Sequence, residues 1–96
     1  MKETQNIMKT AIIGAGITGL SAAYDLVKAG HQVTIYEAED YLGGLASGFK
    51  ESGWEWSLER YYHHWFASDE HILGLIEELG LSDNVLFPRP YTVMLH

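Results

Sequence analysis

A short apolar run, Lys9 to Ile13, stops abruptly at three glycines spaced G-x-G-x-x-G: Gly14, Gly16 and Gly19. This stretch constrains the fold more than any other part of the chain. A five-residue run that is apolar from Ala11 to Ile13 and closed by glycine reads as a buried strand. From Thr18 to Ala29 the spacing turns helical, with Leu20, Ala23, Tyr24 and Val27 on one face and Asp25 and Lys28 off it. Gly30 follows where a helix needs a left-handed stop. Val33 to Tyr36 is a second, β-branched run. Strand, glycine loop, helix and strand within about 30 residues is the size of a βαβ unit, whose two strands must run parallel. The predicted class is α/β: a Rossmann-like βαβ dinucleotide-binding unit, followed by a β-hairpin and a helix.

The loop carries the chemistry. Gly14 suits the tight turn out of the strand, Gly16 suits close approach of backbone to a pyrophosphate, and Gly19 suits close packing of helix on strand. Because the loop opens a helix, its N–H groups and the positive end of the helix dipole face any anion placed there. The predicted cradle is Gly14, Ala15, Gly16, Ile17, Thr18 and Gly19. Glu37 lies 21 residues beyond Gly16, at the end of the second strand, where a carboxylate hydrogen-bonds ribose hydroxyls. A 2′-phosphate would be repelled by Glu37, and neighbouring Ala38, Glu39 and Asp40 supply no arginine, which disfavours NADP.

Composition removes other classes. A net charge of −7, from 13 acidic and 6 basic residues, argues against a nucleic-acid partner and gives no support to an anionic membrane surface. With no cysteine there is no disulfide, thiolate metal site or thiol nucleophile. No apolar run approaches the ~20 residues of a membrane span or the core of a signal peptide. The expected location is cytoplasmic. His63, His64 and His71 lack the i, i+4 spacing of a helical metal site, so no metal is expected.

Residues 1–8 read as a flexible leader and 9–96 as one partial dinucleotide-binding domain. Ser52-Gly53 suits a tight hairpin turn, and beyond it Trp54, Trp56 and Leu58 alternate with Glu55, Ser57 and Glu59 as one buried and one open strand face. Glu59 is a candidate site-lining carboxylate or a solvent-facing strand residue. Ser68 is the expected N-cap of a helix with Asp69 and Glu70 in its first turn, Ile72, Leu75, Ile76 and Leu79 inward, and Gly80 as stop. Val85 to Phe87 and Tyr91 to Leu95 read as short strands around the breaker Pro88-Arg89-Pro90.

The stretch "AIIGAGITGLSAAYDLVKAGHQVTIYEAEDYLGG" closely resembles the N-terminal signature of FAD-dependent amine oxidases, protoporphyrinogen oxidases and phytoene desaturases. The resemblance implies FAD as cofactor, with NAD the alternative. It also implies that Gly43 and Gly44 let the chain pass close to the flavin's phosphates or ribityl chain. Many members have arginine directly after this pair; here Leu45 stands instead. The segment "ERYYHHWF" is similar to one in UDP-galactopyranose mutases, by which His64, with Tyr61, would approach the flavin ring. The other reading of His63, His64, Tyr62, Trp65 and Phe66 is an aromatic cluster packed under the sheet.

The family's chemistry is hydride transfer from a C–N or C–C bond to flavin N5, with the substrate a small molecule that this stretch does not identify and no catalytic residue assignable within it. Two alternatives stand beside it: a sugar mutase segment, and a non-catalytic NAD- or ADP-binding or self-associating module. The resemblance covers the N-terminal part of a much longer enzyme. With two or three parallel strands and an open edge, the expected assembly is a homo-oligomer joined through sheet edges.

Overall fold

The structure, a computed structural model, describes residues 6–89, 91 and 93–95. The first five residues of the expected leader lie outside the described residues. Its last residue, Met8, is held at both backbone groups: its N–H donates to His31 Nδ1 at 3.2 Å, and its carbonyl accepts from the Gln32 N–H at 2.9 Å. The chain divides into two compact units, one up to His63 and one from His64.

The first unit opens with β1 (Lys9–Ile13), α1 (Ile17–Lys28) and β2 (Gln32–Tyr36). β1 and β2 pair in parallel, from Lys9 opposite Gln32 to Ile13 opposite Tyr36, and α1 is the crossover between them. Two parallel strands with a helical connection are the α/β arrangement expected of the first 36 residues. The strands are not buried on both faces, however. Thr10, Ile12, Val33 and Ile35 are half-buried, whereas their neighbours face outward, with Ile13 83% exposed. The reason is that α1 covers one face of the pair only. Ala15 and Ala23 are the buried centre of this unit, with Leu20, Tyr24 and Leu26 half-buried around them. Val27, expected inward, is exposed in the last turn of the helix.

α1 ends as its sequence requires. Gly30, at φ +90°, donates to the Val27 carbonyl and His31 donates to the Leu26 carbonyl, the paired bonds of a Schellman stop. Lys28 sits in the last turn, favourable against the helix dipole, with its ammonium 5.0 Å from the centre of the Tyr24 ring.

Beyond β2 a 3-10 turn at Gly44–Ala46 leads into β3 (Gly48–Phe49), which pairs antiparallel with β4 (Leu58–Glu59). The expected hairpin exists in reduced form. Ser52 and Gly53 do make a tight turn, closed by the Trp54 N–H on the Glu51 carbonyl at 3.2 Å, but it lies inside the loop 50–57 rather than at the end of a ladder. Trp54 and Trp56 therefore lie in no strand. Trp54 instead meets the Phe49 ring at 5.8 Å between centres, while Trp56 is 76% exposed and Leu58 is exposed too. Period-two alternation identifies which face is apolar; burial needs a second layer, and the described residues of this unit supply none over that face.

The second unit holds α2 (Glu70–Glu78) and a 3-10 turn at Ser82–Asn84. Asp69, not Ser68, occupies the cap position, and its carboxylate accepts from the Phe66 N–H at 2.9 Å rather than from the helix. Ile76 is buried and Ile72 and Leu75 half-buried, whereas Leu79 is exposed where the helix ends. Gly80 and Leu81 close α2 with the same Schellman pair, onto Glu77 and Ile76. Val85 to Phe87 forms no strand, and neither do the described residues of the stretch 91–95; Thr92 and Pro90 lie outside the described residues. Among the described residues no helix is long and apolar enough to cross a membrane.

Two helix glycines give opposite expectations. A Cβ on Gly19 would collide with the Gly14 carbonyl oxygen and come within 3.2 Å of Ile12 Cγ2, while one on Gly74 meets nothing within 4 Å. Gly19→Ala should destabilise the first unit by roughly 1–3 kcal/mol through overpacking. Gly74→Ala should stabilise the second by about 0.5–1 kcal/mol through helix propensity. Denaturant midpoints followed by far-UV circular dichroism measure both.

Candidate functional site

The site is built where β1 and β2 end side by side. After Ile13 the chain turns at Gly14, whose φ of +102° favours glycine. The Gly14 N–H donates to the Tyr36 carbonyl at 2.7 Å, one step beyond the strand ladder. Gly16 then caps α1 in extended conformation with no side-chain cap bond, and the first turn carries no acidic side chain. The cap residue thus offers the leading N–H groups of α1 no side-chain acceptor, and that turn brings no negative charge. Such an end attracts an anion.

Ala15, between the two glycines, is completely buried. Its N–H donates to Glu37 Oε1 at 2.8 Å, and its carbonyl accepts from the Gly43 N–H at 2.8 Å. Glu37 Oε2 accepts from the Glu39 N–H at 2.9 Å. The N–H of Glu39, first, and that of Ala15, second, with a lesser contribution from that of Ala38, hold the Glu37 carboxyl below the usual carboxylate range, against the opposing effect of desolvation. Glu37 is thereby fixed as an anion directly beside the loop. A carboxylate has about four acceptor positions, so two backbone bonds leave capacity for ligand hydroxyls.

The second glycine pair has a role that sequence reading alone missed. Gly43 pairs with Gly16 as an isolated parallel bridge, and a Cβ on Gly44 would stand 3.1 Å from Gly16 Cα. Gly44, at φ +57°, therefore has to be small for the glycine loop itself, whatever lies beyond it. The available signal was the coincidence of a G-x-G loop and a G-G pair joined by one acidic strand end. Ser47, buried, braces the turn by donating from Oγ to the Gly44 carbonyl at 2.7 Å.

Along these loops runs an open cleft of about 640 Å³, within the usual range of ligand sites, roughly 300–1,000 Å³. Of the expected site residues, Gly14, Gly16, Ile17, Thr18, Gly19, Gly43 and Leu45 line it, together with Ile12, Ile13, Ala22, Ala46 and His63. Ala15, Glu37 and Gly44 do not line it but hold its loops together. Ala38 is exposed just past Glu37. His64 belongs to the second unit, its ring 4.8 Å from that of Phe66. His63, for which the sequence offers an aromatic cluster rather than a metal site, lines the cleft, and its Nδ1 lies 3.1 Å from Glu59 Oε2. Tyr61 and Tyr62 are exposed. Among the described residues no group of three or more His, Asp or Glu side chains could hold a metal ion.

A cradle of backbone N–H groups, a fixed carboxylate and an apolar wall fit a dinucleotide. A Cβ on Gly16 meets no atom closer than 4.0 Å, the Gly44 Cα, so the space in front of this glycine is open to a close-lying group.

Comparison with known proteins identifies the family. The sequence model described as "Flavin containing amine oxidoreductase" matches residues 17–95. A "Probable zeta-carotene desaturase" of Synechococcus elongatus is 36% identical over 85 residues, covering 88% of this chain and 17% of the relative. A "15-cis-phytoene desaturase" of the same organism is 38% identical over 78 residues, 81% of this chain and 16% of the relative. An "L-amino-acid oxidase" of Sistrurus catenatus edwardsii is 47% identical over 51 residues, 53% of this chain and 10% of the relative. The chain thus spans about a sixth of the length of the two desaturases. It belongs to the flavin-containing amine oxidoreductase family, whose cofactor is FAD.

Proposed function

We propose that this chain is the Rossmann-like segment that holds the dinucleotide of FAD in a flavin-dependent oxidoreductase acting on a C–C or C–N bond. The single observation that carries the reading is the Ala15 peptide, which ties the G-x-G loop to both Glu37 and Gly43. In this reading the N–H groups of Gly16, Ile17 and Thr18 hold the pyrophosphate. Glu37 receives the ribose hydroxyls through its remaining acceptor positions, and Gly43, Gly44 and Leu45 border the flavin half. The flavin, when bound, supplies the two-electron acceptor for a hydride leaving the substrate. The residues of this chain bind and orient it, and exclude water on the apolar side.

Desaturation of a C–C bond is the favoured reaction. Two of the relatives bear the names of carotene and phytoene desaturases, and the cleft wall is mostly aliphatic. Oxidation of a C–N bond is the second reading, favoured by the 47% identity to an L-amino-acid oxidase over 51 residues of the chain.

Purified protein should carry FAD close to stoichiometry and show flavin absorbance. Colourless protein that takes up NAD or ADP-ribose but not FAD contradicts the reading. Gly16→Ala separates ligand from fold. The added Cβ finds room, at φ −76°, so the unfolding midpoint should fall only by the cost of alanine at a cap position, no more than about 1 kcal/mol. FAD affinity, by fluorescence quenching, should nevertheless fall tenfold or more, roughly the loss of a charge-assisted hydrogen bond to phosphate. Unchanged affinity would remove the pyrophosphate from this loop.

Glu37 gives a pH signature. Its folded pKa lies below its unfolded one, so its contribution to stability is complete above the unfolded value and is lost as pH falls through the folded value. The stability gap between the parent and Glu37→Gln should accordingly be constant near neutral pH and close in acid, below the ordinary carboxylate range. A gap that persists undiminished at low pH contradicts a charge-based role.

A further inference from the structure

His63 is the one ionisable side chain among the described residues lining the cleft, and Thr18 is the only other polar one. An otherwise aliphatic wall that carries a single imidazole offers a ligand one directional contact. What the imidazole offers depends on where its proton sits. Nδ1 lies 3.1 Å from Glu59 Oε2, so a carboxylate already occupies one side of the ring.

Glu59 is itself held in place. It is the last residue of β4, opposite Gly48, and the next N–H, that of Arg60, donates to the Ser47 carbonyl at 3.1 Å. The Arg60 guanidinium lies 4.3 Å from the centre of the Tyr41 ring and 5.5 Å from that of Phe49. The strand pair that anchors Glu59 directly follows the turn carrying Leu45 and Ala46 on the cleft wall. His63, by contrast, lies in a segment with no helix or strand of its own. Its side chain is tied to Glu59.

We infer that Glu59 positions His63 and sets its tautomer, so that His63 presents Nε2 as a hydrogen-bond acceptor to a hydroxyl or N–H of the dinucleotide in the cleft. The inference rests on the cleft being the cofactor site. The chemistry follows from the pair: a carboxylate is acceptor-only, so the ring proton is on Nδ1 and the Nε2 lone pair is left for the ligand. Neutral imidazole in water favours the opposite tautomer, with the proton on Nε2. Glu59 therefore determines which nitrogen is the acceptor. A dinucleotide rich in ribose and ribityl hydroxyls is a ligand class that needs such acceptors on its non-phosphate parts.

Two measurements on the purified protein test this. The first needs no ligand: ¹⁵N chemical shifts of the His63 ring at about pH 8, above the ordinary imidazole range, should report the Nδ1–H tautomer in the parent and the Nε2–H tautomer in Glu59→Ala. The second is FAD titration by fluorescence quenching. His63→Ala and Glu59→Ala should each weaken FAD about fivefold, the equivalent of one ordinary hydrogen bond, and His63→Gln should recover part of the loss. An Nε2–H tautomer in the parent overturns the positioning role of Glu59. Parent-like FAD affinity in His63→Ala overturns the contact while leaving the glycine-loop reading intact. A parent that takes up no FAD overturns both.

Discussion

The peptide of Ala15 is held from both sides, and the site depends on that. One backbone N–H and one carbonyl, both fully removed from water, would each carry a desolvation penalty of roughly 1–3 kcal/mol if left unpaired. Here the N–H goes to the Glu37 carboxylate and the carbonyl takes the Gly43 N–H. Those two bonds join three separate stretches of sequence: the loop after β1, the end of β2 and the turn before β3. The loop is thus shaped by bonds within the protein itself.

The glycines divide by what stands in front of them. At Gly19 it is the Gly14 carbonyl and the Ile12 side chain, so that glycine serves the packing of helix against strand. At Gly44 it is the Gly16 Cα, so that glycine serves the joining of two loops. At Gly16 the nearest atom is the Gly44 Cα at 4.0 Å, the outer edge of ordinary contact, so the chain itself leaves room for a side chain there. A motif that looks uniform as a string of letters thus has members answering to different physical demands. Leu45 adds an apolar side chain at the same rim.

Local signals were legible and layered ones were not. β1, α1, β2 and both helix stops follow from short-range chemistry: an apolar run, a helical period, and a glycine at each left-handed position. Glu37 stands where the sequence places it, just after β2 and beside the glycine loop, although its bonds to Ala15 and Glu39 were not legible, since backbone partners leave no trace in side-chain pattern. The alternation of Trp54, Trp56 and Leu58 marks an apolar face but does not say what covers it, and both Trp56 and Leu58 are exposed. Ser68 lost the cap position to Asp69 because a carboxylate one residue later takes the Phe66 N–H. His63 could not be told from His64 by sequence, because only the fold separates two adjacent, identical side chains.

The measurement that tests the central claim most directly is amide hydrogen exchange at Ala15 and Gly43 in the protein stripped of flavin. A cradle shaped in advance by Glu37 and the Gly43 bridge predicts slow exchange at both amides without ligand, and selective loss of protection at Ala15 in Glu37→Ala. Exchange at both as fast as in the exposed loop 50–57, with protection gained only when FAD is added, would contradict it.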